Sequence, residues 1–215
     1  MPNAFDVNHF VSVRSEVIPE RPRIRKQLGL HGTTFIYVGR LRREKGVGIL
    51  LEAFRKLQRR CQVKTTLLFV GDGSEEEHLR QRCLKKGIHN VVFAGFQQKQ
   101  ELPSYYAAAD VFVFPTLGDT YGLVVDEAMA CSLPVISTNA VGEIHERIED
   151  GLNGYILQPE NSETLCERMK QLARDPELRK KMGQYSAQKV KEHTPKRWAQ
   201  GFENIVDKIL SMSRR

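Results

Sequence analysis

Long apolar segments are missing from this sequence. No apolar run in its 215 residues approaches the roughly 20 residues that a membrane-spanning helix needs. The N-terminus also lacks the basic segment followed by an apolar one that marks a secretory leader. These two absences predict a soluble, cytoplasmic chain.

Cysteine is scarce, and its spacing fits no metal site. The four cysteines stand alone in the chain, and three of them fall in segments with helical patterns. We expect them to act as small apolar side chains in a reducing compartment. They are Cys61, Cys83, Cys131 and Cys166.

Several catalytic signatures are absent as well. The sequence has no D-x-D for a metal-held nucleotide, no Walker lysine loop, no G-x-S-x-G and no H-E-x-x-H; HERIE (145–149) lacks the second histidine. Gly71-x-Gly73 resembles the start of a dinucleotide fingerprint, but the third glycine would fall at Glu76. An acid there would repel a pyrophosphate, which argues against a hydride-transfer enzyme.

Positive charge is in excess, with a net charge of +7. This charge is consistent either with solvated helix faces or with attraction to phosphate-rich partners or an anionic membrane. We favour solvated faces for most of the cations because no aromatic residues are interleaved with them. Binding of nucleic acid is therefore a disfavoured alternative.

Short, almost wholly apolar runs alternate with amphipathic helical patterns. Such runs are typical of parallel strands covered on both faces, and the repeated unit predicts an α/β fold with a doubly wound, Rossmann-like parallel sheet. Ligands of such sheets bind outside the carboxyl ends of the strands. The predicted strands cover 33–39, 65–71, 90–95, 110–115, 133–138 and 154–159.

The chain divides into three predicted parts. Residues 1–30 have little periodicity and form an extended lead-in, and residues 31–193 form the sheet domain, which ends in extra helices at about 162–174 and 176–192. Residues 194–215 form a last helix that opens at Thr194-Pro195 and carries Trp198.

The loop that follows the first strand carries a compact basic cluster. Gly39 lets the backbone approach a ligand, Arg40 offers a planar fork to phosphate oxygens, and Lys45 adds a mobile charge. A basic loop in water is the neutral interpretation. The position at a strand's carboxyl end, beside a helix start, favours an anion site.

Two acids flank another helix start in GDTYGLVVDEAMACSLPVIST (118–138). Asp119 lies before the helix and Glu127 about one turn inside it, so they suit sugar hydroxyls on either side of a phosphate better than the phosphate itself. The alternative is that Asp119 caps the helix and Glu127 is exposed. The amides expected to face an anion belong to Gly122, Leu123 and Val124, just after Tyr121.

Taken in order, these segments resemble the C-terminal half of the GT-B glycosyltransferases of family 4, the large retaining family called group 1. The similarity covers nearly the whole chain. The matching segments are VGRLRREKG (38–46), LLFVGDGSEEEHL (67–79), VVFAGF (91–96), LPSYYAAADVFVFPT (102–116), DTYGLVVDEAMACSLPVIST (119–138) and EDGLNGYIL (149–157).

The resemblance implies a role for each candidate residue. Arg40 and Lys45 would bind the diphosphate of a UDP- or GDP-linked sugar without a metal or cofactor, Asp119 would contact the transferred sugar, and Glu127 the ribose. Tyr121 and the backbone from Gly122 to Val124 would approach the sugar and phosphates. Gly39 belongs to the diphosphate loop, and Gly71 and Phe96 would lie near the base.

The sequence departs from the family pattern at two positions. Asp119 replaces the usual glutamate, which shortens its reach by one methylene, and Gly142-Glu143 replaces a Gly-Gly pair. A non-catalytic nucleotide-binding or interaction module of the same fold is therefore the alternative to an enzyme.

The first ten residues, MPNAFDVNHF, resemble the interdomain connector of these enzymes. The resemblance then implies that an acceptor-binding N-terminal domain is the missing partner, in the same full-length chain or a split subunit. We expect this chain to bind a nucleotide sugar and to transfer little or no sugar alone. The full enzyme could contact a membrane peripherally.

Overall fold

The structure is a computed structural model that describes residues 7–192 and, beyond them, residues 199, 202, 203, 206 and 209. The predicted helix start at Thr194-Pro195 and the Trp198 of that helix lie outside the described residues, as do the first six residues of the MPNAFDVNHF segment.

Six parallel strands form one sheet in the order β3-β2-β1-β4-β5-β6. Each lies within a segment predicted from its apolar residues, so the predicted α/β sheet is confirmed. Buried side chains fill both faces of the central strands, which is why their sequences lack polar alternation. The strands are β1 (Thr33–Val38), β2 (Thr65–Val70), β3 (Val91–Phe93), β4 (Val111–Phe114), β5 (Val135–Thr138) and β6 (Gly154–Leu157).

The strand order reverses between β1 and β4. These two strands pair directly, with Phe35 opposite Val111 and Ile36 opposite Phe112. The loops that follow β1 and β4 therefore leave the same edge of the sheet side by side. In doubly wound folds this reversal point opens the crevice in which ligands bind.

Nine α-helices lie within residues 7–192, and those after β1 follow the predicted pattern except for a short helix at Ile144–Arg147, which the sequence did not predict. The spacing of the apolar residues after Gly46 predicts one helical stripe, and the helix there buries it; its members are Val47, Leu50, Leu51, Phe54 and Leu57. The helices are α1 (Val7–Val17), α2 (Arg21–Gln27), α3 (Val47–Arg60), α4 (Glu76–Lys86), α5 (Leu102–Ala108), α6 (Leu123–Ala130), α7 (Ile144–Arg147), α8 (Ser162–Arg174) and α9 (Pro176–Lys189).

The prediction of an extended lead-in is wrong, because α1 and α2 occupy most of residues 7–27. Their fold depends on partners far along the chain. Phe10 of α1 is fully buried, and its ring lies edge-on to Tyr106 of α5. Arg21 and Arg25 of α2 both bind the Asp110 carboxylate, at 2.6 and 3.2 Å.

Helix α1 thus packs against α5 and α6, and α2 packs against α5. All four cysteines are free thiols, and three are buried, as expected for small apolar side chains. Among the helices of the described residues, none combines the length and the apolar character needed to cross a bilayer.

Candidate functional site

The loop after β1 is fixed against the loop after β4. Gly46 has φ of +68°, and a Cβ on it would lie 1.9 Å from the carbonyl oxygen of Pro115. The Leu117 amide donates to the Glu44 carbonyl at 2.8 Å. Only glycine allows this approach, so the glycine that ends the basic loop also sets its distance from β4.

Lys45 and Asp119 meet where these loops touch. Lys45 Nζ donates to Asp119 Oδ2 at 2.7 Å, and both side chains are largely buried. The other oxygen, Oδ1, accepts the Tyr121 amide at 3.1 Å. Burial acts to raise the pKa of Asp119, but the Lys45 hydrogen bond and the amides of Tyr121 and Gly122 outweigh it, so the pKa lies below its ordinary value.

Helix α6 begins directly after this ion pair. Gly122 takes the left-handed conformation at its N-cap, with φ of +71°. The amides of Leu123 and Val124 donate to no acceptor in the described part of the chain. These two donors and the positive end of the helix form an arrangement that suits an anion.

Arg40 extends from the opposite end of the basic loop. Its carbonyl accepts the Tyr37 hydroxyl at 2.8 Å, which fixes the backbone, while its side chain is exposed. Within the described residues its guanidinium has no ion-pair partner. Arg40 and Lys45 thus belong to one loop at the carboxyl end of β1.

Glu127 lies inside α6, and its side chain is turned towards α5. Its Oε2 accepts the Tyr106 hydroxyl at 2.9 Å, and only 8% of the residue is exposed. Burial raises the pKa of Glu127, against the Tyr106 hydrogen bond and the charge of Lys99. The alternative of an exposed helix acid is therefore wrong.

The ends of β2 and β3 complete this edge of the sheet. Gly71 has φ of +126°, and a Cβ on it would lie 2.2 Å from the Gly39 carbonyl oxygen. The Gly71 amide donates to the Gly95 carbonyl at 2.8 Å. Phe96, which follows Gly95, is 63% exposed. Gly39, Gly71 and Phe96 are thus brought to one edge, with an aromatic ring open to solvent.

Two charged residues that the sequence did not single out hold the site together. Arg147 and Asp126 form an ion pair at 3.3 Å, and each side chain is only 1% exposed. Arg147 also donates to the carbonyls of Tyr121, Gly122 and Gly142, and its guanidinium stacks on the Tyr121 ring at 4.4 Å. A charge within the apolar helix LVVDEAMAC was the available signal, because a buried acid requires a partner.

The Gly142-Glu143 departure has a backbone explanation. A Cβ on Gly142 would lie 2.1 Å from the Thr120 carbonyl oxygen, so this glycine is required where the two loops touch. Glu143 is exposed and takes the left-handed conformation, with φ of +55°, which glycine adopts more readily. The Glu143 backbone therefore keeps a conformation suited to the glycine that it replaces.

The structure thus groups the candidates along one edge. Lys45, Asp119 and the α6 N-terminus are in mutual contact or adjacent, Arg40 shares the loop of Lys45, and Glu127 lies one turn into α6. Among the described residues, no three His, Cys, Asp or Glu side chains form a cluster able to hold a metal ion. The arrangement offers cations and amides to an anion, with carboxylates on its flanks.

Comparison with known proteins identifies the family. The model of the family "Glycosyl transferases group 1" matches residues 20–189. The chain belongs to this family. A glycosyltransferase of Methanocaldococcus jannaschii, MJ1607, is 33% identical over 150 residues, which cover 68% of this chain and 38% of that protein.

Solved structures of glycosyltransferases share the fold of this family member. The C-terminal domain of a group 1 glycosyltransferase, LpcC from Francisella tularensis, superposes with a TM-score of 0.73 at 26% identity, over 81% of this chain and 93% of that one. HepE of Anabaena, solved with UDP and glucose, superposes with a TM-score of 0.77 at 23% identity, over 97% of this chain and 55% of that one. At this identity the match shows the fold alone. The chain is thus an α/β domain of GT-B type.

The chain spans about half the length, or less, of the curated relatives that it matches. By contrast, the structural match with this chain covers 93% of the LpcC domain.

Proposed function

We propose that this chain binds the nucleotide-diphosphate sugar donor of a retaining, metal-independent glycosyltransferase. The observation that carries the proposal is the contact between the loops after β1 and β4, which sets Lys45 and Asp119 2.7 Å apart beside the α6 N-terminus. HepE, of the same fold, was solved with UDP and glucose. UDP-sugars are therefore the first donors to test, with GDP-sugars second.

Each group has a defined task in this proposal. As the bond between the anomeric carbon and the phosphate breaks, negative charge builds on the leaving nucleoside diphosphate. Lys45, Arg40 and the free amides of α6 stabilise that charge, as a divalent cation does in other transferases. Asp119 accepts from hydroxyls of the transferred sugar, and Glu127 from the ribose.

The backbone and aromatic candidates have supporting tasks. The backbone of Gly39 and the region from Tyr121 to Val124 approach the phosphates and sugar. Gly71 and the exposed Phe96 lie beside the base. The acceptor binds to a partner N-terminal domain, which lies in the same full-length protein or in another subunit. The complete enzyme contacts a membrane only peripherally.

Calorimetry with UDP, GDP and their sugars tests the donor site. We expect Arg40→Ala with Lys45→Ala to weaken binding by about tenfold or more, since two charge-assisted contacts are lost. Arg42→Ala with Arg43→Ala is the matched control, because it removes the same charge from the same loop and should change affinity by less than about twofold. Equal losses of affinity in the two double variants would show that the basic loop attracts the nucleotide only nonspecifically.

Sugar transfer needs a separate test. The chain joined to its N-terminal partner domain should transfer sugar from the donor that it binds, with the anomeric configuration retained. Binding of the donor without any transfer in that assembly would instead identify a nucleotide-binding module.

A further inference from the structure

Tyr106 and Glu127 form a buried pair that the proposed chemistry does not explain. Tyr106 is fully buried, and its hydroxyl donates to Glu127 Oε2 at 2.9 Å. Its only other acceptor among the described residues is the Val124 carbonyl, at a marginal 3.5 Å. The hydroxyl is therefore committed to the carboxylate.

The Tyr106 ring has little freedom to move. Phe112 of β4 lies edge-on to it with ring centroids 5.9 Å apart, and Phe10 of α1 lies edge-on at 6.2 Å. Arg14, one turn further along α1, donates to the Cys131 carbonyl at the end of α6 at 2.8 Å. The α1 helix thus fixes both the ring and the helix that carries Glu127.

The two carboxylate oxygens of Glu127 have different surroundings. Oε2 accepts from Tyr106, whereas Oε1 has no hydrogen-bond partner in the described part of the chain. Oε1 is nevertheless absent from the buried polar atoms that lack a partner, so it reaches solvent. One oxygen is anchored, and the other keeps some contact with solvent although only 8% of the residue is exposed, so it is available to accept a ligand hydroxyl.

We infer that Tyr106 is a positioning residue, which orients Glu127 so that its free oxygen accepts the ribose hydroxyls of the donor. The inference rests on the proposed function and deepens it, since it adds a residue that acts only through Glu127. It also implies that the α1 helix supports the nucleotide site from behind, because Phe10 of α1 packs against the Tyr106 ring.

Electrostatics agree with this geometry. Burial raises the pKa of Glu127, and the Tyr106 hydrogen bond works in the opposite direction. Loss of the hydroxyl should therefore raise the pKa further and leave less of the ionised acceptor near neutral pH. The charged and titratable groups that act on the Glu127–Tyr106 pair are Lys99, Asp126 and Cys131, and Cys131 in turn faces Arg14.

Binding of UDP and of 2′,3′-dideoxyuridine diphosphate to the 215-residue chain tests the inference. We expect the protein to prefer UDP by about tenfold, a typical value for hydrogen bonds to a charged acceptor. Tyr106→Phe should reduce that preference to about threefold or less, with little change for the dideoxy ligand. Tyr105→Phe removes a neighbouring hydroxyl with no hydrogen bond among the described residues, and should leave the preference intact.

The pH profile separates positioning from packing. The pH below which UDP binding weakens should rise in Tyr106→Phe, and it should fall when 3-fluorotyrosine, a stronger donor of the same shape, replaces Tyr106. The second replacement preserves the test if Tyr106→Phe does not fold. A full preference for UDP in Tyr106→Phe, or an unmoved profile with 3-fluorotyrosine, overturns the inference. Failure of the unmodified protein to bind UDP overturns the proposed function instead.

Discussion

Lys45 and Asp119 are joined by a hydrogen-bonded ion pair of 2.7 Å, although they lie 74 residues apart in the chain. The pair connects the loop after β1 to the loop after β4. In the proposed site it also connects the cation that faces the diphosphate to the acid that faces the sugar. Without ligand, each group neutralises the other.

Removal of the acid should therefore have opposite effects on two ligands. Asp119→Asn frees Lys45 and removes a negative charge, so we expect UDP to bind about three- to tenfold more tightly, the scale of a partly screened charge pair. The advantage of a UDP-sugar over UDP should shrink, because the sugar loses an acceptor. Calorimetry measures both, and weaker binding of UDP would contradict this assignment.

The same ion pair should make stability depend on pH. The pKa of Asp119 is lowered in the fold, so its contribution is complete above the unfolded value of about 3.9 and is lost as the pH falls through the folded pKa. Urea denaturation of the wild type and Asp119→Asn should differ most at neutral pH and converge in acid. Curves that stay parallel from neutral pH to about pH 3 would show that the ion pair does not stabilise the fold.

Arg147 should prove essential for stability. Arg147→Met leaves the Asp126 carboxylate buried without its cation, which costs about 3–5 kcal/mol of unfolding free energy. Asp126→Leu with Arg147→Met should recover part of that loss, because no charge is then buried, although the carbonyls of Tyr121, Gly122 and Gly142 still lack their donor. Urea denaturation measures both variants, and a double variant as unstable as the single one would count against the ion pair.

Substitutions at the neighbouring positions 142 and 143 should change the free energy of unfolding in opposite directions. Gly142→Ala places a Cβ against the Thr120 carbonyl and should destabilise the fold and displace the Asp119 loop. Glu143→Gly relieves a left-handed conformation and should raise the free energy of unfolding by about 0.5–1 kcal/mol, after the entropy cost of glycine. Thermal unfolding compares them, and destabilisation by Glu143→Gly would indicate that the Glu143 side chain has stabilising contacts.

Asp110 should control the docking of α2. It binds Arg21 and Arg25 and accepts the Thr34 amide at 2.8 Å. Asp110→Ala therefore leaves the Thr34 amide without its acceptor, and it leaves the two arginines without their carboxylate, with backbone carbonyls as their remaining acceptors. We expect a loss of about 2–4 kcal/mol, together with faster amide hydrogen exchange in residues 7–27. Glu20→Ala removes an exposed pair with Arg23 in the same segment and should cost less than about 1 kcal/mol.

The sheet could be predicted from the sequence because its signal is local. Strands buried on both faces leave continuous apolar runs, and α8 occupies the predicted 162–174 because Asn161 caps it, with its side chain accepting the Thr164 amide. The segment SEEEHLRQRCLKKG (74–87) predicts a helix that begins at Ser74, but α4 begins two residues later, at Glu76. The turn before it is set by a distant contact, from the Glu75 amide to the Leu41 carbonyl.

The remaining features depend on contacts that no local pattern encodes. The buried side of α1 is defined by Phe10 meeting Tyr106, 96 residues away, so the lead-in lacks a clear helical stripe. The Tyr106–Glu127 and Arg147–Asp126 pairs likewise join separate elements. Local spacing indicated which residues could serve as ligands of a donor, but not which side chains hold them in place.

The docking of α1 has a practical consequence for chimeric enzymes. A graft that begins at residue 31, where the chain first shows regular alternation, would leave out Phe10 and uncover the Tyr106 ring behind Glu127. It would also strip Arg14 from the carboxyl terminus of α6. The splice point for exchanging this domain between transferases therefore lies upstream of Val7.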